Sequence, residues 1–139
     1  IKLVQYRAGS QSRIMDALKL AVKTGKEVSV FIEVKARFDE AANLTWGEEL
    51  ERHGVKVNYS FPGLKVHAKL AMVQRMEENT PRIYTYLSTG NFHEGTVRIY
   101  SDLGLFTADE RITKEVERIF TFLETVQIPE LPFEHLLVG

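Results

Sequence analysis

The stretch Val28-Ser29-Val30-Phe31-Ile32-Glu33-Val34 decides the fold class. It is mostly apolar and rich in β-branched residues, the pattern of a strand covered on both faces, as in a sheet with helices on either side. Upstream, Lys2 to Tyr6 alternates like a short strand and Ala8-Gly9-Ser10 breaks it. Apolar residues then recur at Ile14, Leu18, Ala21 and Val22 with helical spacing; Ser10 or Ser12 can cap the start, and Gly25 can take the left-handed conformation at the end. Strand, helix and strand in this order make a βαβ unit. Downstream, a second helix fits Asp39 to His53, with Ala42, Trp46 and Leu50 on one face and Gly54 as the stop, and Val55 to Tyr59 reads as a third strand.

The second half reads differently. Val66 to Arg75 is a long β-type run, Glu77-Glu78-Asn79-Thr80-Pro81 a polar turn, and Arg82 to Leu87 the hairpin partner. An antiparallel pair therefore joins a sheet that began parallel, and the expected fold is an α/β domain with a mixed sheet flanked by helices. Thr107 with Glu110 has capping-box spacing ahead of a last helix striped by Ile112, Val116, Ile119, Phe120 and Leu123. Residues 1–127 are expected to form one domain. Ile128-Pro129-Glu130-Leu131-Pro132 reads as a linker, and 128–139 as that linker with the start of a following domain, so the sequence is read as an excised fragment.

At 139 residues the chain is of ordinary single-domain size, and 44% hydrophobic with 27% charged residues excludes the disordered class. Lys plus Arg total 18 and Asp plus Glu 19, a net charge of −1. That gives no global attraction to nucleic acid, so no nucleic-acid partner is expected, and any polyanion site must be local. The absence of cysteine removes disulfide, thiolate and Fe–S chemistry and suits a reducing, cytoplasmic location. No apolar run approaches a membrane span, so any membrane association is expected through other regions. The four histidines stand at no zinc-motif spacing, and no P-loop is present.

Chemistry concentrates in Gly63-Leu64-Lys65-Val66-His67-Ala68-Lys69-Leu70. If this is strand, His67 and Lys69 share a face: a neutral imidazole can attack phosphorus while an ammonium stabilises the non-bridging oxygens. Alone, the pattern equally describes exposed polar residues on a strand. At the end of the hairpin partner, Leu87-Ser88-Thr89-Gly90-Asn91-Phe92 offers hydroxyls, a glycine and an amide, either an ordinary turn or a phosphate cradle that the hairpin brings near His67. Arg7 and Arg37 each follow a predicted strand of the βαβ unit, where ligands of open α/β sheets gather. Asp102, after a run read as strand, is a candidate acceptor for a site residue or a turn former. His93 is read as a loop histidine that could line the site, and His53 and His135 as non-catalytic.

His67, Lys69 and Gly90-Asn91 resemble the half-site of the phospholipase D superfamily. The wider chain resembles polyphosphate kinases through Tyr6-Arg7, Ser12-Arg13-Ile14, Lys35 to Asn43, Pro62 to Leu70, Ser88 to Phe92 and Tyr100 to Asp109. The resemblance implies a phospholipase D-like fold, the first of two such C-terminal domains in a four-domain enzyme that moves the terminal phosphate of ATP reversibly onto polyphosphate. It implies His67 as the phosphorylated histidine, Lys69 and Asn91 as the phosphate-binding pair, and Arg7 and Arg37 as arginines associated with Mg2+ through phosphate. Implied partners are ATP or ADP, polyphosphate, the other domains of the enzyme and further copies in a homo-oligomer. The acidic residue that phospholipase D sites carry five positions after the lysine is here Gln74, which favours the kinase over a phosphodiesterase. Two alternatives stay open: a phospholipase D-type phosphodiesterase, and a non-catalytic module that binds polyphosphate or nucleotide phosphates. The isolated fragment is expected to be inactive, since a half-site supplies only part of the positioning that catalysis needs.

Overall fold

The computed structural model describes residues 1–36 and 38–138. Strand β1 (Lys2–Gln5), helix α1 (Arg13–Lys23) and strand β2 (Ser29–Ile32) form the expected βαβ unit, followed by α2 (Glu40–Arg52) and β3 (Lys56–Tyr59). Strands β4 (Leu70–Glu77) and β5 (Thr80–Ser88) are the hairpin; β6 (Gly104–Thr107) and α3 (Glu110–Thr125) complete the order. The six strands lie as β3-β2-β1-β4-β5-β6. β1, β2 and β3 run parallel, while β4 lies antiparallel to β1 and continues antiparallel through β5 to β6. This is the mixed sheet flanked by helices that the sequence predicts.

Helices α1 and α2 cover one face, where Met15, Leu18, Trp46 and Leu50 pack on Leu3, Val30 and Ile32. Helix α3 covers the other, setting Val116, Phe120 and Leu123 against Val4, Phe31, Leu70 and Met72. Covering on both faces is why Val30, Phe31 and Ile32 are all buried, and why that run shows no alternation. Each such side chain contributes about 1.5–3 kcal/mol by burial, and truncating Phe120 to alanine costs about 3–5 kcal/mol.

The ends of the elements follow local chemistry. Ser12 caps α1, its hydroxyl accepting from the Met15 N–H, and Gly25 leaves the helix with φ +80°. The β4–β5 turn is a two-residue turn in which Glu78 and Asn79 both have positive φ, the twist that suits a hairpin. Two expectations are corrected. Asp109, not Thr107, caps α3, accepting from the Arg111 N–H, while the Thr107 hydroxyl accepts from the Asp109 N–H at the end of β6. The residues before Asp102 are a 3-10 turn (Thr96–Arg98), and the strand follows Asp102 instead of preceding it.

The terminal segment is docked on α3. Both oxygens of the buried Glu115 carboxylate accept backbone N–H groups, from Glu134 at 2.7 Å, His135 at 3.1 Å and Leu136 at 2.8 Å. Arg118 donates to the carbonyls of Leu131 and Pro132 and lies over the Phe133 ring.

Candidate functional site

Three chain segments reach the edge of the sheet formed by the carboxyl ends of β1 and β2: Tyr6-Arg7 leaving β1, Val66 to Lys69 entering β4, and Ser88 to Asn91 leaving β5. Their convergence follows from the antiparallel placement of β4 beside β1, since the strand must begin where its neighbour ends. Ligand sites of open α/β sheets gather at this edge.

The segment carrying His67 and Lys69 is extended, but β4 begins only at Leu70, so these two residues do not share a strand face as expected. Burial breaks the alternation: Val66, Lys69 and Leu70 are buried, whereas His67 and Ala68 are exposed. The Lys69 ammonium folds back instead, donating to the His67 carbonyl at 2.6 Å. The two side chains meet over Tyr6, to which the sequence reading assigned no role. The buried Tyr6 ring holds the His67 ring edge-on, with centroids 4.5 Å apart and planes at 89°. The same ring has the Lys69 ammonium at 5.1 Å and the Arg7 guanidinium at 5.7 Å from its centre. A π face attracts both cations and keeps them beside the imidazole.

These surroundings set the charge states. Burial, and then the positive charges of Lys69, Lys65 and Arg7, push the His67 pKa below the ordinary histidine value, which favours the neutral, nucleophilic imidazole. Burial and Arg7 also push Lys69 down, with Asp102 pulling it back up. Among the described residues neither ring nitrogen of His67 makes a hydrogen bond, so the Tyr6 contact is what orients the ring.

Arg7 is partly exposed and pairs through Nε with Asp39 at 3.1 Å. Arg37 lies outside the described residues. Asn91 sits half-buried in the turn after β5, its carbonyl accepting from the His93 N–H; its side-chain oxygen is buried without a hydrogen-bond partner among the described residues. Ser88 is brought beside Lys69, its N–H donating to the Lys69 carbonyl at 3.0 Å. Gly90 is required by close approach, because a Cβ there would collide with the Asp102 carboxylate, which accepts from the Thr89 hydroxyl at 3.2 Å. Asp102 thus acts as a turn organiser within electrostatic reach of Lys69. His93 is a loop histidine whose Nδ1 accepts from the Gly95 and Thr96 N–H groups, and His53 ends α2 with its Nδ1 on the Glu49 carbonyl. Gln74 lies mid-strand in β4.

Two further residues build the site from below. Glu33, fully buried just after β2, accepts from the Lys35 N–H and the Ser60 hydroxyl at 2.8 Å each and from the Val66 N–H at 2.7 Å. Asn43, fully buried in α2, donates both amide hydrogens to main-chain carbonyls, Tyr6 at 2.8 Å and Glu33 at 2.9 Å. The signal for both was in the sequence: Glu33 is the one charge in the apolar run, and Asn43 lies on the Trp46-Leu50 face of α2.

A mainly apolar cavity of about 570 Å³ is lined by His67 and Lys69 on one side and by Leu64, Phe122, Ile128 and Leu136 on the other. Among the described residues no group of three or more His, Cys, Asp or Glu side chains could hold a metal ion, and no helix is long and apolar enough to cross a membrane.

Comparison with known proteins gives one consistent result. Residues 1–129 match the family described as polyphosphate kinase C-terminal domain 1. The chain is 47% identical to the polyphosphate kinase of Yersinia pestis over 139 residues, all of this chain and 20% of that protein. It is 46% identical to that of Escherichia coli (strain K12) over the same span, and 50% identical to that of Erythrobacter litoralis over 123 residues, 88% of this chain and 17% of that one. The crystal structure of polyphosphate kinase from Porphyromonas gingivalis superimposes with a TM-score of 0.77 at 45% identity, covering 96% of this chain and 22% of that one. The chain spans about a fifth of the length of the curated relatives it matches.

Proposed function

Because the chain belongs to the polyphosphate kinase family, with the phospholipase D-like fold of its C-terminal domain 1, we propose that it carries the nucleophile for reversible transfer of the ATP terminal phosphate to polyphosphate. The observation that carries this reading is the environment of His67: an exposed imidazole, biased to its neutral form, edge-on to Tyr6 and flanked by Lys69 and Arg7. One His67 ring nitrogen attacks the γ-phosphorus, an N–P bond forms, the bond to the β,γ-bridging oxygen breaks, and ADP leaves. A terminal oxygen of polyphosphate then attacks the phosphorus and the N–P bond breaks. Lys69 and Arg7 face the charge that builds on the non-bridging oxygens, with Arg37 added as a further guanidinium and Asn91 as an orienting amide. Splitting the transfer lets one set of cations serve two polyanions in turn.

Among the described residues no group of three or more His, Cys, Asp or Glu side chains gathers that could hold a metal ion. Mg2+ belongs to this reading only as the counter-ion that arrives on the ATP phosphates. The remaining parts of the reading are a following domain from 128–139 onward, assembly of the full-length enzyme as a homo-oligomer, and a cytoplasmic location. The isolated fragment is inactive in this reading, because phosphate contacts from the rest of the enzyme complete the positioning.

The test uses the full-length enzyme and γ-labelled ATP. Acid-labile label on His67, lost in His67→Ala, is the expected result; acid-stable label, or label that survives His67→Ala, overturns it. Hydrolysis of a phosphodiester by the intact enzyme would move the assignment to the phosphodiesterase alternative, and binding without turnover in the full-length enzyme would move it to the binding module.

A further inference from the structure

The three segments that make the site are separate loops, and nothing in their own sequences fixes their mutual spacing. Two buried side chains do. The Glu33 carboxylate grips the Val66 N–H, the peptide immediately before His67, and with its other oxygen the Lys35 N–H, two residues before Arg37. Asn43 grips the Tyr6 carbonyl, the peptide that leads into Arg7, and ties it to the Glu33 carbonyl. Both side chains are fully buried, so water cannot replace these bonds. Among the described residues Glu33 has no cation as a hydrogen-bond partner: the Ser60 hydroxyl and two main-chain N–H groups offset the cost of burying its charge. Asn43 lies on the first turn of α2, four residues after Asp39, which pairs with Arg7 and whose carbonyl accepts the Asn43 N–H at 2.8 Å. One buried pair therefore holds the peptide just before His67 and the peptide just before Arg7.

We propose that Glu33 and Asn43 form a clamp that sets the distance between His67 and Arg7, making them positioning residues for phosphoryl transfer although neither touches substrate. This rests on the assignment of His67 as nucleophile. The clamp acts on geometry, not on charge at the reacting atoms, because its bonds run to peptide groups. An ångström of misplacement at a reacting centre lowers the rate by about 100-fold, so loss of one arm is expected to slow the chemical step by about 10- to 100-fold.

The experiment is single-turnover labelling of the full-length enzyme by γ-labelled ATP, with Glu33→Gln and, as a milder variant, Ser60→Ala. Gln is the same size but must turn an N–H toward at least one of the donors that Glu33 now accepts from, while Ser60→Ala removes one donor and leaves the carboxylate in place. The clamp predicts a rate constant for His67 labelling lowered about 10- to 100-fold in Glu33→Gln and less in Ser60→Ala, with ATP affinity unchanged. A purely structural role lowers the amplitude, by reducing the folded fraction, and leaves the rate constant alone; that result overturns the clamp. Hydrogen exchange separates this inference from the one beneath it. Faster exchange in Glu33→Gln confined to residues 33–36 and 61–70 supports the clamp, and exchange at wild-type rates there overturns it, whether or not His67 proves to be the labelled residue.

Discussion

Gly47 is the place where helix α2 touches the sheet most closely, and Gly47→Ala tests how firmly that helix is seated. A Cβ added there would lie 2.9 Å from Cε1 and 3.0 Å from Cζ of Tyr59, and closer still to its hydroxyl. Two effects oppose each other. Alanine in a helix interior gains about 1 kcal/mol over glycine, whereas forcing a methyl into a filled space costs about 1–3 kcal/mol. Because ring carbons as well as the hydroxyl stand in the way, the whole tyrosine has to move, and the steric cost is the larger. The expected net loss is about 1 kcal/mol, a fall of roughly 3–4 °C in the thermal midpoint for a domain of this size. Asn43 is one turn before Gly47 on the same buried face, so a shift of α2 also loosens the grip on Tyr6 and Glu33. The assay is thermal unfolding of the wild type, Gly47→Ala, Tyr59→Phe and the double variant, alongside the transfer rate. Removing the hydroxyl in Tyr59→Phe should recover part of the loss, a coupling of about 0.5 kcal/mol or more. A midpoint for Gly47→Ala equal to or above that of wild type would show that helix propensity outweighs the contact and that α2 is not seated on Tyr59.

Further outcomes are expected. Since His67 is held below the ordinary histidine value, phosphorylation should stay near its maximum from neutral pH down through the usual range and fall only below it; Lys69→Gln should move that acid limb to higher pH, and an unmoved limb in the pH–rate profile would deny Lys69 its electrostatic part. Arg7→Ala and Arg37→Ala in the full-length enzyme should each lower turnover about 30- to 1,000-fold through loss of about 2–4 kcal/mol of transition-state stabilisation, with partial recovery in Arg37→Lys; a fall in thermal midpoint that matched the activity loss would make them structural. For Glu115, burial, the largest influence, pushes its carboxyl up, yet the N–H groups of Glu134, His135 and Leu136 together bring it below the ordinary value of 4.5. Its hold on the terminal segment is therefore complete above about pH 4.5 and lost as pH falls through the lowered value, so protection from hydrogen exchange at residues 134–136, relative to the intrinsic rate at each pH, should fall on acidification and, in Glu115→Gln, already be low at pH 7.

The alternation and spacing of apolar residues made the βαβ unit, α2 and the hairpin legible, because periodicity reports burial directly. Helix α2 was placed within a residue at each end, with Gly54 and its positive φ marking the stop. The edge strand β6 was not legible: Leu105 and Phe106 stay exposed, so no pattern marks them. For the site, His67, Lys69 and Arg7 were readable as residue types and are brought together, but their mode of meeting was not. A period of two puts His67 and Lys69 on one strand face, whereas the Val66 N–H is captured by Glu33 and the chain enters the ladder only at Leu70. Tyr6 meets His67 61 residues on, Glu33 meets Val66 33 residues on and Asn43 meets Tyr6 37 residues back, and single-sequence patterns do not carry such pairings.

The junction of β1 and β4 has a mechanical meaning. The parallel half closes through local βα connections and the hairpin closes on its own turn, but the two are joined in the sheet by two residue pairs, Lys2 with Met72 and Leu3 with Ala71, against eight pairs between β4 and β5. His67 belongs to one side of this seam and Arg7 to the other. Helix α3 is the rivet: Val116, Phe120 and Leu123 press on Val4 and Phe31 from one half and on Leu70 and Met72 from the other, while Glu124 holds Lys2 and Ser29. Pairings that span so many residues form late in folding and open early. Under the proposed function, loosening α3 thus parts His67 from Arg7 while both halves keep their secondary structure, and the transfer rate gauges whether the two halves are closed.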